Sequence, residues 1–184
     1  MELYNLLVRP DADFSLRWHR DDIPPSASAA EEEDILSREM RHAQWNVALY
    51  DDESLIVVPG SHRRARTELE RQTGAYEDMP GQTVVEMRAG DVVFYNNNIL
   101  HRGVYDCEKE RMTLHGSMGV VGEDKARARN VLQHGIGGWV DGSDFSGLNG
   151  QIDGEDIAIV AMRMKAALIE MGKVGDVGYS QTDE

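Results

Sequence analysis

Val92-Val93-Phe94-Tyr95-Asn96-Asn97-Asn98-Ile99-Leu100-His101-Arg102-Gly103-Val104-Tyr105 sets two short runs of strand-forming residues, Val92 to Asn96 and His101 to Tyr105, on either side of a brief break. The second run opens on a histidine. Similar runs recur outward from this stretch: Leu3 to Val8, Ser15 to His19, Gln44 to Tyr50, Leu55 to Val58, Thr83 to Met87 and Arg111 to Met118. Arg9-Pro10-Asp11, Pro59-Gly60-Ser61 and Ala89-Gly90-Asp91 supply the turn residues where strands must reverse. Eight short strands at fairly even spacing predict a barrel or sandwich of antiparallel strands rather than a βαβ fold.

The character changes near residue 122. A glycine-rich stretch, Gly135 to Gly154, is followed by Ile157, Val160, Ala161, Met164, Leu168 and Met171 at three- and four-residue steps. That period predicts a helix, with Asp153 as N-cap and Gly172 as its stop. The expected organisation is a β core over 1–122, with a glycine-rich loop and C-terminal helix over 123–184 packed on the same domain. Ala29 to Arg41 is Glu-rich and reads as a short solvated helix or a loop, its run Glu31-Glu32-Glu33-Asp34 as a solvated face.

At 184 residues the chain is long enough for one substantial core. Nineteen basic against thirty-three acidic residues leave a net charge of −14, which repels nucleic-acid phosphates and anionic membranes. No apolar stretch approaches the roughly 20 residues that span a bilayer, and charges interrupt Leu6-Leu7-Val8 before it could serve as a signal core. The single cysteine, Cys107, forms no intrachain disulfide. A cytoplasmic location is the expectation, and a homodimer stays open.

Chemistry concentrates in two places. In Trp18-His19-Arg20-Asp21-Asp22, strand alternation points His19 and Asp21 one way and Arg20 the other, so an imidazole and a carboxylate can reach one metal ion. His101 supplies a third ligand. Two histidines and a carboxylate with open positions suit non-heme Fe(II), although Ni(II), Cu(II) or Zn(II) could occupy such a set. A hairpin turning around Cys107 would pair His101 with Thr113 and Gly103 with Arg111, aiming Arg111 across a position without a side chain. A guanidinium there can grip a carboxylate through two parallel hydrogen bonds.

The ordered set Trp18-His19-Arg20-Asp21-Asp22, Gln44 to Leu49, Leu55 to His62, Ala89-Gly90-Asp91-Val92, His101-Arg102-Gly103 and Arg111 resembles the phytanoyl-CoA dioxygenase family over roughly residues 3 to 120. The resemblance implies an all-β double-stranded β-helix, a cupin-like jelly roll, with a C-terminal α-helix. It further implies an Fe(II)- and 2-oxoglutarate-dependent dioxygenase that consumes O2 and oxidises a small-molecule substrate. His19, Asp21 and His101 would then bind iron, and Arg111 the distal carboxylate of 2-oxoglutarate. Thr113 would assist, and Gln44 and Asn46 would line the site if Trp45, Val47 and Leu49 pack outward. Family members usually carry a helical segment before the first core strand, whereas this chain begins almost at that strand. The expectation is a pocket open on one side, with succinate outrunning oxidised product.

His62 is expected to be structural, His115 a weaker ligand candidate behind His101, and His42 and His134 surface residues. Met162, Met164 and Met171 read as core or interface. Two other readings stay open: a metal-binding jelly roll without oxygenase activity, and a cupin-like isomerase. A carboxylate clamp at Arg111 separates an oxygenase from both.

Overall fold

The computed structural model describes residues 3–39, 42–119 and 139–173. Two compact units divide the chain, Met1–Val121 and Gly122–Glu184.

The first unit consists mostly of two four-stranded antiparallel sheets. One runs in the order β1 (Leu3–Val8), β8 (Met112–Gly119), β3 (His42–Ala48), β6 (Val92–Tyr95). The other runs β2 (Phe14–Ser15), β7 (His101–Tyr105), β4 (Leu55–Val57), β5 (Thr83–Val84). All eight expected strands are present, though the second and the fifth shrink to two residues each, and His19 makes only an isolated bridge to His101.

The expected β7–β8 hairpin does not form. β7 pairs with β2 and β4, and β8 pairs with β1 and β3, so the chain changes sheets between Tyr105 and Met112. Proximity in sequence favours a hairpin, but β7 meets its bonds with residues about 45 and 90 positions upstream, a choice no local pattern reveals.

The first sheet carries its polar residues inward. Cross-strand rows set Asn5, His115, Asn46 and Val93 on one face, together with Thr113, Ser117, Gln44 and Ala48. Thr113, Ser117, Gln44 and Asn46 are buried. The opposite face carries Leu6, Leu114, Val47 and Val92 in one row and Trp45 beside Phe94 in the next. Leu6, Val8, Val92, Phe94 and Met118 are exposed there, Phe94 at 63%.

Apolar packing sits with the second sheet instead. Trp18, Ile56, Val58, Met79 and Leu100 form one buried cluster, and Leu55, Val57 and Ile99 another, joined by Val85, Val93 and Tyr95. The Trp18 indole donates to the Glu77 carbonyl at 2.8 Å, and the Arg102 guanidinium lies 5.0 Å from its ring centroid.

Two helices belong to this unit. α1 (Ala29–Ser37) starts at a capping box in which Ser28 and Glu31 satisfy each other's backbone. The Glu-rich run is not a solvated face throughout, because Glu32 is fully buried. α2 (Glu68–Gln72) starts at a second capping box, Thr67 with Glu70.

The second unit holds a short hairpin, β9 (Gln151–Ile152) with β10 (Glu155–Asp156), and α3 (Ile157–Gly172). Asp153 is not the cap. It adopts a left-handed conformation, φ 50°, in the turn, and Asp156 accepts from the Ala158 amide at 2.8 Å. Met162 and Met164 are exposed. His134 lies outside the described residues.

Candidate metal centre

His19 and His101 exchange both backbone hydrogen bonds, each 3.1 Å, so their side chains leave the same face and their rings stand 4.2 Å apart. Asp21, two residues on, donates its amide to the Asn97 carbonyl. One ligand atom from each of His19, Asp21 and His101 lies within 4.8 Å of the other two, and all three residues are buried.

Each imidazole has its outer nitrogen fixed. His19 Nδ1 donates to the Arg17 carbonyl at 2.7 Å and His101 Nδ1 to the Ile99 carbonyl at 2.8 Å. A carbonyl only accepts, so the proton sits on Nδ1 and the Nε2 lone pair points into the site. Those Nε2 atoms stand 3.8 and 3.7 Å from Asp21 Oδ1. Burial pushes both histidines down to about 4, with the His101 charge adding to the effect on His19. They are neutral at pH 7, so the contacts to Asp21 are not ion pairs. Neutral imidazoles with aligned lone pairs beside a carboxylate are a donor set that fits a divalent metal ion. Gln44 Nε2 donates to the second Asp21 oxygen.

The inner sheet face continues the site. Asn46 Oδ1 accepts from His115 Nδ1 at 2.7 Å, and Asn46 also hydrogen-bonds Tyr95, whose ring meets His101 edge-on at 5.4 Å. Burial and the Asp21 carboxylate push the Tyr95 phenol well up. Tyr95 was not anticipated from sequence, since a tyrosine in a strand is ordinary. Its inward position follows only from its register opposite Gln44.

Arg111 is not placed by a β7–β8 ladder. Its Nε donates to Asp52 Oδ2 at 3.0 Å and to Ser54 Oγ at 3.1 Å, and its guanidinium lies 4.5 Å over the Tyr105 ring. Thr113 Oγ1 donates to the same Asp52 oxygen at 2.6 Å. Hydrogen bonds from Ser54 and Thr113 and the Arg111 charge outweigh burial, holding the Asp52 carboxyl below its usual range. Asp52 and Ser54 were missed because each comes into play through residues nearly 60 positions away.

His42 is no surface residue. It opens β3 and its Nε2 lies 2.9 Å from Asp22 Oδ2, which also accepts from Asn98 Nδ2 at 3.2 Å. His62 sits in the 3-10 turn Ser61–Arg63.

Arg20 faces away from His19, Asp21 and His101, although the stretch holds only an isolated bridge rather than a continuous strand. It donates to the carbonyls of Ser61, Asn98 and Arg64, and its Nε lies 3.8 Å from Glu32 Oε1. Glu32 also takes Arg66 Nε and Arg71 Nη2, each at 2.6 Å, and the Arg66 amide at 2.7 Å. Burial brings the Arg20 guanidinium down to about 10, so it remains charged at neutral pH.

No curated protein matches the chain. Similar solved structures include AviO1 from Streptomyces viridochromogenes Tue57, 19% identical, covering 66% of this chain and 51% of that one, TM-score 0.44. HygX from Streptomyces hygroscopicus, solved with nickel and 2-oxoglutarate, is 18% identical, covering 64% and 57%, TM-score 0.47. EctD from S. alaskensis, solved with 2-oxoglutarate and 5-hydroxyectoine, is 21% identical, covering 64% and 43%, TM-score 0.44. The matched region spans about half or less of the first three solved structures. The family model for phytanoyl-CoA dioxygenase (PhyH) matches residues 9–104, a span that holds His19, Asp21 and His101 and stops short of Arg111. That span is more than half of the 184 residues, and the chain belongs to the phytanoyl-CoA dioxygenase family.

Proposed function

We propose that this chain is an Fe(II)- and 2-oxoglutarate-dependent dioxygenase that oxidises a small organic metabolite. We further propose that its catalytic core is a double-stranded β-helix over 1–122. The observation that carries the reading is a pair of neutral, pre-aligned imidazoles converging with a carboxylate that Gln44 braces from the polar inner face of the first sheet.

Iron and 2-oxoglutarate, when bound, would let O2 act as the four-electron oxidant, two electrons coming from 2-oxoglutarate, which leaves as succinate and carbon dioxide, and two from the substrate. The protein's residues do the rest. His19, Asp21 and His101 would hold the ion, a three-residue set that would leave it able to take further ligands. Gln44 fixes the second Asp21 oxygen, so the carboxylate presents Oδ1 without rotating. Arg111, its Nε anchored by Asp52 and Ser54, receives the distal carboxylate, and Thr113 fixes Asp52. Asn46, His115 and Tyr95 line the site as hydrogen-bonding groups, and burial of the three ligands keeps bulk water from the reacting centre.

The experiment is succinate release from 2-oxoglutarate under air, with an anaerobic control and the His101→Ala variant. Oxygen-dependent succinate that disappears in the variant is expected. Iron bound stoichiometrically without any succinate would instead make the chain a metal-binding protein.

A further inference from the structure

Gly103 is the point at which β7 gives up its own side chain. His101, Gly103 and Tyr105 share one face of that strand. A Cβ placed on Gly103 would lie 2.1 Å from the Tyr105 hydroxyl and 2.4 Å from Cζ. The phenol therefore folds back along its own strand and fills the room over position 103, next to the metal histidine. Only glycine permits this.

Two contacts hold the ring there. Phe14 stacks on it from the neighbouring strand at 5.8 Å, and the Arg111 guanidinium covers it at 4.5 Å. Arg111 spends its Nε on Asp52 and Ser54, while its two terminal amino groups take no hydrogen bond among the described residues. The Tyr105 hydroxyl takes none there either. Yet the Arg111 side chain is only 9% exposed. Neither the amino groups nor the hydroxyl is among the fully buried unpaired polar atoms, so these donors stay within reach of an entering anion, and a carboxylate can take both kinds.

We infer that Tyr105 is a further cosubstrate-binding residue, its hydroxyl donating to the same distal carboxylate that Arg111 grips. Burial keeps the phenol protonated, so it meets an anion as a donor. The inference rests on the reading that Arg111 receives 2-oxoglutarate.

Calorimetry of 2-oxoglutarate on Mn(II)-loaded protein tests it, with Mn(II) affinity measured alongside. Tyr105→Phe keeps the ring and its stacking but loses the O–H. Its 2-oxoglutarate affinity should fall roughly 10- to 100-fold, the worth of a hydrogen bond to a charged group, with Mn(II) affinity unchanged. 2-Oxopentanoate, which has the same chain without the distal carboxylate, should bind wild type and Tyr105→Phe alike, whereas a ring needed only for packing would affect both ligands. Gly103→Ala displaces the hydroxyl and should show the same selective loss, which keeps the test open should Tyr105→Phe not fold. Unchanged or tighter 2-oxoglutarate binding by Tyr105→Phe overturns the inference and makes the phenol a filler or a plug. Arg111→Ala separates the two readings. If it weakens 2-oxoglutarate while Tyr105→Phe does not, only the role of Tyr105 falls. If it changes nothing, the carboxylate clamp itself is wrong, and Tyr105 falls with it.

Discussion

Asp21 and Glu32 are both buried carboxylates, set on opposite sides of one short stretch of chain. Glu32 is surrounded by guanidiniums, with Arg66 and Arg71 at 2.6 Å and Arg20 at 3.8 Å. Asp21 meets an amide from Gln44 and two neutral imidazoles whose lone pairs face it. Charge and hydrogen bonds are closed around Glu32, whereas Asp21 takes an amide donor on one oxygen and turns the other toward two imidazole nitrogens, a set that a cation completes. Completed burial marks the scaffold, and burial arranged for a guest marks the site. Arg20 joins the two: flanked in sequence by His19 and Asp21, its side chain belongs to the scaffold.

The comparison breaks first at the ligands. His19→Ala, Asp21→Ala and His101→Ala should each abolish stoichiometric Fe(II) or Mn(II) binding, while His115→Ala leaves it largely intact. Metal titration of the four variants decides this, and tight binding retained by His101→Ala would move the third ligand elsewhere. Glu32→Gln attacks the other carboxylate. It leaves neighbouring guanidiniums without their anion in a buried place, so urea unfolding of the metal-free protein should show a loss of roughly 3–5 kcal/mol. A loss below about 1 kcal/mol would reduce the network to decoration.

Acid should separate the two regions. The site histidines titrate at about 4 in the fold against 6.5 when exposed, so between these values the unfolded chain binds protons that the folded one does not. Stability of the metal-free protein is then full above pH 6.5 and falls as pH drops toward 4, by roughly 3 kcal/mol for the first histidine. Unfolding free energies across that window should lose this slope in the His19→Ala/His101→Ala double variant; an unchanged slope would place the titrating groups elsewhere. The smallest effect belongs to Gln44→Leu. Loss of its hydrogen bond to Asp21 should weaken Fe(II) by roughly 10- to 100-fold without removing it, and undiminished affinity would show that Asp21 needs no such brace.

Much of the site was legible because its signals are local. The His-x-Asp triplet announces shared direction through strand alternation, and His101 opens a strand whose boundaries, His101–Tyr105, are those expected. β1 likewise spans Leu3–Val8 as expected. What was not legible depends on distant partners. Glu32 looks solvated until Arg66 and Arg71 return to it from more than thirty residues downstream. Arg111 has the expected neighbourhood of Thr113, but through Asp52 rather than through a hairpin. The capping box Thr67-x-x-Glu70 is a local signal carried by the sequence, whereas the seat of Tyr105 over Gly103 depends on the fold of the side chain along its own strand.

The first sheet turns its polar residues inward and its apolar ones outward, and this has a colloidal consequence. Leu6, Val8, Val92, Phe94 and Met118 form a patch of a kind that draws copies together, opposed by the long-range repulsion of a net charge of −14. That repulsion vanishes near the isoelectric point, about 4.8, and weakens with salt once the screening length falls to about 10 Å at 0.1 M. The isoelectric point also falls inside the window where protonation of the buried histidines loosens the fold. Mildly alkaline, low-salt buffer is therefore where this protein should stay dispersed, and slow acidification should precipitate it before it unfolds.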